Sequence, residues 1–502
     1  MNKAFLTTEE NNLINFFLFI LENHKESFEN SEIIENLQIQ SSSLKILFRE
    51  LENLRANYNQ FEYNISSKNI KIILSPNFSV NNVYLYFLQS SLNYKLISSL
   101  YDDSFESLVS FSNNVNYSIR TIQRSTKNLQ SFLSNYNISI NFKRKTPLVG
   151  EEFLIRYFFE RMQWEFFDED FFMTVINNSP ISQEFLSILK INFPKMSNLL
   201  YLRILNIFQL SIIRIKKGHK IKHLPKIFYS VSNPIINFHN FYEKVIFPYF
   251  IKHHLTNVKT LEKEGYYLYS VLSLISEYSY DSISINNTNQ YIIRNEEQTL
   301  FYYFLQIFEN FIESNLSDKE KKYLEYNFIS TYLRFYIFRT NQTVNPVNVN
   351  LDSTKNKNIT KILAEKIVKL CSNNFPHLSN ILLDELFILK ISFILQNILP
   401  NHTPKIQITI LSRTGNILFD VVKNQIKQLN GNNFNFTDFN EKTSLIISDY
   451  RISKSYYKNN SLLKTLVCSY PLEIKDIQKI LLLIEEIQNK KFNSFWDNNL
   501  NY

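Results

Sequence analysis

Glycine is nearly absent from this chain: 502 residues contain five. That scarcity argues against glycine-rich phosphate loops, dinucleotide-binding turns and tight-hairpin β architectures, all of which need backbone that side chains forbid. Cysteine is rarer still. Cys371 and Cys468 are the pair, with no CxxC and no Cys/His cluster, so neither a zinc site nor a secreted disulfide framework is expected. Long apolar runs are also missing. The N-terminal run from Phe16 to Leu21 stops at Glu22, too short for a signal peptide, and no stretch reaches the roughly 18 apolar residues that span a membrane. These absences predict a cytoplasmic protein that needs no cofactor.

Hydrophobic residues make up 44% and charged residues 20%, which describes a globular chain. At roughly 150 residues per domain, the length predicts three to four domains. Ile, Leu and Phe recur at helical spacing, so the fold class is mainly α and multidomain. The net charge of +8 hints at a polyanionic partner. An AT-rich genome would produce the same bulk charge through its codons, so the distribution of charge decides.

Residues 1–75 predict three helices followed by a hairpin. A short amphipathic helix spans 31–38, Ile39 and Gln40 turn, and Ser41 is placed to cap the next helix. Leu44, Leu47, Phe48, Leu51 and Leu54 share one face of that helix. Alternation from Gln60 to Leu74, broken at Ser66–Ser67, predicts a two-stranded wing. After Pro76 the order repeats: a helix over 81–101, a short helix over 105–112, a turn at 113–116, a long helix over 117–133, and a strand pair over 137–149. The chain thus begins with two tandem winged helix-turn-helix units, residues 1–75 and 76–160.

The second long helix divides its faces. Ile119, Ile122, Leu129 and Leu133 fall on one side, while Arg120, Arg124 and Lys127 fall on the other. Tyr117, Ser118 and Thr121 near its start add polar reach, and the following wing carries Lys143, Arg144 and Lys145. From Asn116 to Lys145 there are six basic residues and no acid. A recognition helix needs this division, one face packed and one presented to bases and phosphates. The bland alternative is a solvated amphipathic helix beside a charged loop; the preceding short helix, turn and wing favour DNA. In the first unit Ser42, Ser43, Lys45 and Arg49 occupy the matching face, but Glu50 and Glu52 interrupt it. It either touches DNA or merely supports and orients the second.

Residues 151–400 are strongly helical, with prolines as punctuation, a Ser/Asn/Thr-rich boundary at 282–289 and a polar loop over 341–358. After Pro404 strands and helices alternate: strands over 405–411, 444–448 and 466–469, a turn at 414–415, and helices over 416–429 and 474–488. They predict a small α/β domain.

The stretch from Leu148 to Trp164 (LVGEEFLIRYFFERMQW) resembles the junction that follows the second winged unit in the Mga/AtxA family of virulence regulators, with Gly150, Glu151, Arg156, Tyr157, Phe158, Phe159 and Trp164 in place. RIKKGH over 214–219 is a second echo. The resemblance implies two helical-bundle phosphotransferase-system regulation domains (PRDs), at 161–288 and 289–402. It also implies an enzyme-IIB-like α/β domain at 403–502. The implied protein is a homodimeric transcription activator, paired through its C-terminal domains. Its other implied partners are double-stranded DNA, RNA polymerase and the phosphocarrier proteins of sugar transport.

The sequence departs from that pattern in two places. The usual PRD histidine positions hold Ile207 and Tyr332. Two other histidines become phosphorylation candidates. His219 lies in an acid-free span from Phe185 to Tyr242 and is either a phosphoacceptor or part of a solvated basic loop; His377 is either a phosphosite or a packing residue. An active enzyme IIB carries a cysteine after its first strand, where this chain has Ser412. That loss argues against the rival enzyme class, a phosphotransfer component. The basic helix argues against a third class, a regulatory scaffold without DNA. No metal or catalytic residues are expected, and Cys468 is read as a small buried hydrophobe.

Overall fold

The computed structural model describes residues 4–499 except 24, 168, 195, 232, 234–235, 256–257, 276–294, 339–358, 403–404, 414–415, 431–433, 453–462 and 469–471. The expected boundary at 282–289, the loop at 341–358 and the turn at 414–415 lie outside the described residues. The protein is mostly helical and multidomain, with a small parallel sheet near its C-terminus. Among the described residues, one compact unit comprises those within Met1–Glu277 and Ser330–Lys355; the other comprises those within Asn295–Ile329 and Asn356–Tyr502.

The first unit opens with α1 (Thr8–Asn23), β1 (Ser27–Glu29), α2 (Asn30–Leu37), α3 (Ser41–Asn57), β2 (Phe61–Ile65) and β3 (Asn69–Leu74). The strands form an antiparallel sheet in the order β1-β3-β2, with Phe61 opposite Leu74 and Ile65 opposite Ile70. Ile70 and Ile72 point into the core while Lys71 and Ile73 point out, the alternation that a half-buried hairpin requires. β1 was not expected; three residues are too few to show a period.

The pattern recurs as α4 (Val80–Ser90), α5 (Leu92–Tyr101), α6 (Leu108–Val115), α7 (Ile119–Ser134), β4 (Ser139–Ile140), β5 (Leu148–Val149) and α8 (Glu152–Phe166). The helix expected over 81–101 is two helices. Ser91 breaks it by adopting extended backbone; its hydroxyl accepts from Tyr94 N and donates to Phe5 O. α6 runs through the residues expected to turn and ends at Asn116, whose φ is 56°. Gln38 closes α2 in the same left-handed conformation, with φ 52°. A chain with almost no glycine turns its helix ends on Gln and Asn instead, accepting the strain of a Cβ there. Ser41 is not the cap of α3. Gln40 occupies that position, and no side chain satisfies the helix N-terminus. One core runs through both winged units and α8, joining Phe5, Phe132, Phe158 and Phe166. Phe48 is only half-buried against it.

The rest of this unit includes α9 (Glu169–Asn177), α10 (Pro180–Asn192), α11 (Asn198–Lys216), α12 (Phe238–Phe241), α13 (Phe247–Lys252), α14 (Val258–Ile275) and the end of a later helix from Ser330 onward. By length and composition α11 could cross a membrane, although Arg203, Asn206, Gln209 and Arg214 interrupt its apolar run. It carries Arg203 and Arg214, each paired with a glutamate of α8, and most of it is buried. These are the marks of a core helix.

The second unit contains α15 (Asn295–Ile312), part of α16 (Asp318–Phe338), α17 (Ile359–Asn374), α18 (Ser379–Leu382), α19 (Glu385–Gln396) and α20 (Leu399–His402). It continues as β6 (Ile406–Leu411), α21 (Asn416–Asn430), β7 (Phe434–Phe436), β8 (Leu445–Ser448), β9 (Lys464–Val467) and α22 (Ile474–Asn499). The four strands are parallel, in the order β7-β6-β8-β9. β7, a three-residue edge strand, was missed in the sequence. Cys468 is buried in this core, as expected.

Candidate nucleic-acid interface

α7 is held from behind and open in front. Ile122, Leu129 and Leu133 are fully buried, and Thr126 donates to Ile122 O. Ser125 Oγ donates to Asn93 Oδ1 on α5 at 2.7 Å, tying the helix to the one behind it. Ile119 does not join this face; it is exposed, because the helix begins there rather than at Tyr117. Ser118 caps the helix by accepting from Thr121 N, and the two hydroxyls lie 2.8 Å apart. These expected contact residues are therefore occupied in building the helix start, although both stay exposed. Tyr117 is exposed beside them.

Arg120, Arg124 and Lys127 all stand on the exposed face. They span about 10 Å along the axis, close to the width of a major groove. Gln123 is exposed between them. Sequence reasoning missed it because it is uncharged, yet a glutamine amide can pair with an adenine edge. The wing adds Lys143, Arg144 and Lys145, all exposed. Its β ladder is only two residue pairs long. Asn141 shapes the tip instead: its side chain accepts from Lys143 N, its carbonyl accepts from Arg144 N, and its N–H donates to Pro147 O. Phe142 anchors the wing on Phe105, with ring centroids 5.6 Å apart. None of the six cations pairs with a carboxylate among the described residues, so their charge is available to an incoming polyanion.

The first unit is different. Ser42, Lys45 and Arg49 are exposed on α3, while Ser43 is half-buried. Arg49 meets Glu50 at 3.5 Å. On the sheet Lys71 meets Glu26 at 3.2 Å. Lys68, exposed at the wing tip, was not singled out from sequence.

Behind the second unit lies a buried ionic junction. Arg156 on α8 is 1% exposed and contacts Glu264 on α14 at 2.5 Å, Glu152 at 2.9 Å and His219 O at 2.8 Å. Arg214 on α11 binds Glu152 at 2.8 Å and donates to Tyr101 O at 2.9 Å. Burial acts to discharge Arg156, but Glu264 and Glu152 outweigh it and hold its pKa above the ordinary value. Burial likewise pushes Tyr101 and Tyr267, which line this junction, upward.

The phosphorylation candidates fare unequally. The acid-free setting expected for His219 holds only along the sequence. In space its Nε2 lies 2.6 Å from Asp103 Oδ2, so a phosphoryl group there would meet a carboxylate. His377 is exposed in a single 3-10 turn, Pro376–Leu378. Ile207 and Tyr332 are both buried, and both lie in the first unit. Ser412 Oγ donates to Asp449 Oδ2 at 2.9 Å.

A capped helix presented beside a basic wing, on a helix-turn-helix frame, defines a DNA-binding transcription regulator. Residues 76–163, from before α4 into α8, match the family model described as the Mga helix-turn-helix domain, a match that supports membership of the Mga family of regulators. No curated protein matches the chain.

Proposed function

We propose that this protein is a cytoplasmic, non-enzymatic transcription activator that grips double-stranded DNA chiefly through its second winged unit. One observation carries the reading: six exposed cations on α7 and its wing, with no acid among them from Asn116 to Lys145. Each phosphate neutralised releases counterions, which makes affinity steeply salt-dependent. Arg120, Arg124 and Lys127 meet the phosphates that line the groove as well as its base edges, Gln123 reads a base edge between them, and Lys143, Arg144 and Lys145 hold the backbone beside it. The first unit, with Ser42, Ser43, Lys45 and Arg49, adds a weaker contact or an orientation.

The domain division proposed is 1–75, 76–160, 161–288, 289–402 and 403–502. The helical domains serve as PRDs that tune DNA binding, and the C-terminal domain serves homodimerisation. The parallel sheet order supports an enzyme-IIB-like domain, while Ser412, engaged with Asp449, supports one that no longer accepts phosphate. Phosphocarrier control acts through His377 or His219, and at His219 the carboxylate of Asp103 opposes a phosphoryl group.

A mobility-shift titration of the full chain on duplex DNA tests the central reading. Arg120→Ala with Arg124→Ala should lower affinity and reduce the salt slope by about 2. An unchanged slope would remove α7 from the interface.

A further inference from the structure

The loop from Lys216 to Lys226 carries Lys216, Lys217, Lys220, Lys222 and Lys226, with His223 and no acid. It is fixed in place from its inner side. Gly218 turns it at φ +85°, in the left-handed region that residues with a Cβ rarely adopt. His219 N donates to Arg214 O, and His219 O accepts from Arg156. His219 Nε2 meets Asp103, and Ile221, itself buried, donates its N–H to Glu264 Oε1 at 3.1 Å. With His219 and Ile221 turned inward, Lys216, Lys217, Lys222 and Lys226 stand exposed on the outer side.

The anchor places this loop beside the wing. Asp103 belongs to the connection between α5 and α6, and Phe105 two residues on packs against Phe142, the residue before Lys143. The basic loop and the basic wing are thus both tied to one short connection, at contact points two residues apart. That connection contributes Asp102, Asp103 and Glu106. Asp103 is met by His219 and Arg214; Asp102 accepts from Ser104 N, and Glu106 accepts from Ser110 Oγ. Eight cations in the loop and wing outnumber these three acids.

We infer that the Lys216–Lys226 loop is a third DNA-contacting element, binding the backbone of the duplex where it continues past the wing. This rests on the proposed function, because the wing supplies the direction in which the duplex runs. The partner is recognised by its charge alone: regularly spaced phosphates, with no base contact. The buried ionic junction then has a role in binding, since it sets the loop at a fixed place relative to α7.

The test uses the full chain and a duplex it selects from random sequence. One version of the duplex ends at the wing's footprint; the other extends past it by about one helical turn, ~10 base pairs. Fluorescence anisotropy is read across a salt series for the wild type and for Lys216→Gln/Lys217→Gln/Lys222→Gln/Lys226→Gln. On the extended duplex the wild type should show a salt slope steeper by about 2 to 3, and the variant should lose that increment. On the short duplex the two proteins should agree. The inference is overturned if extension adds nothing for the wild type, or if the variant keeps the full increment. If the wild type binds neither duplex, the function itself fails and takes this inference with it. If both bind and Arg120→Ala/Arg124→Ala weakens them, the function stands whatever the loop does.

Discussion

Glu264→Gln offers the sharpest test of the buried junction. Glu264 is fully buried, receives Arg156 at 2.5 and 3.3 Å, and accepts from Ile221 N at 3.1 Å. The amide keeps the volume and an acceptor for Ile221 but removes the charge. Arg156 would be left to share Glu152 with Arg214. Breaking a buried pair on one side costs about 3–5 kcal/mol, because the surviving charge is stranded. With a urea slope of about 2 kcal/mol/M, the midpoint should fall by about 1.5–2.5 M. Trp164 reports on this unit, since Arg203 lies over its ring at 5.0 Å and pairs with Glu160. A Trp496→Phe background makes Trp164 the sole indole. The double variant Arg156→Met/Glu264→Leu should cost less than Glu264→Gln alone, having no stranded charge. A single-variant loss under about 1 kcal/mol, or a double variant worse than the single, would refute the reasoning.

Other consequences follow from individual sites. Gln38→Gly removes a Cβ from a left-handed helix end and should raise stability by about 0.5–1 kcal/mol in denaturant unfolding; a loss would count against strain at that turn. Burial pushes the Cys371 thiol up to about 12 and Cys468 up to about 11. Native protein at pH 8 should therefore alkylate at least about a hundredfold more slowly than free cysteine, and rapid labelling without unfolding would contradict this burial. Burial pushes Glu320 up, but hydrogen bonds from Ser317, Asn401 and His402 prevail and hold it below its ordinary 4.5. Its stabilising effect is present above that value and lost as pH falls through the lower folded one. The stability gap between wild type and Glu320→Gln should thus close on acidification from neutral pH; a gap that widens would be the wrong sign.

The winged order was legible because each element carries its own period. Ile70 and Ile72 alternate with Lys71, and Leu44, Leu47, Leu51 and Leu54 recur at helical spacing. The exposed charge of Arg120, Arg124 and Lys127 followed from the same wheel. Short strands such as β1 and β7 were not legible, being three residues long. The break at Ser91 was hidden because its cause, the carbonyl of Phe5, lies 86 residues away. Ile119 misled for a local reason: Ser118, just before it, is the cap, so the helix starts later. The setting of His219 shows the larger limit. Its neighbours along the chain are cations, while its neighbour in space is Asp103, 116 positions upstream.

Genome-wide occupancy of the full chain in its own cells tests the central claim most directly. Discrete occupancy upstream of transcribed genes is expected for the wild type, with loss of those peaks at equal protein level for Arg120→Ala/Arg124→Ala/Lys127→Ala. Peaks that survive this replacement, or a wild type with no enrichment on DNA, would contradict it.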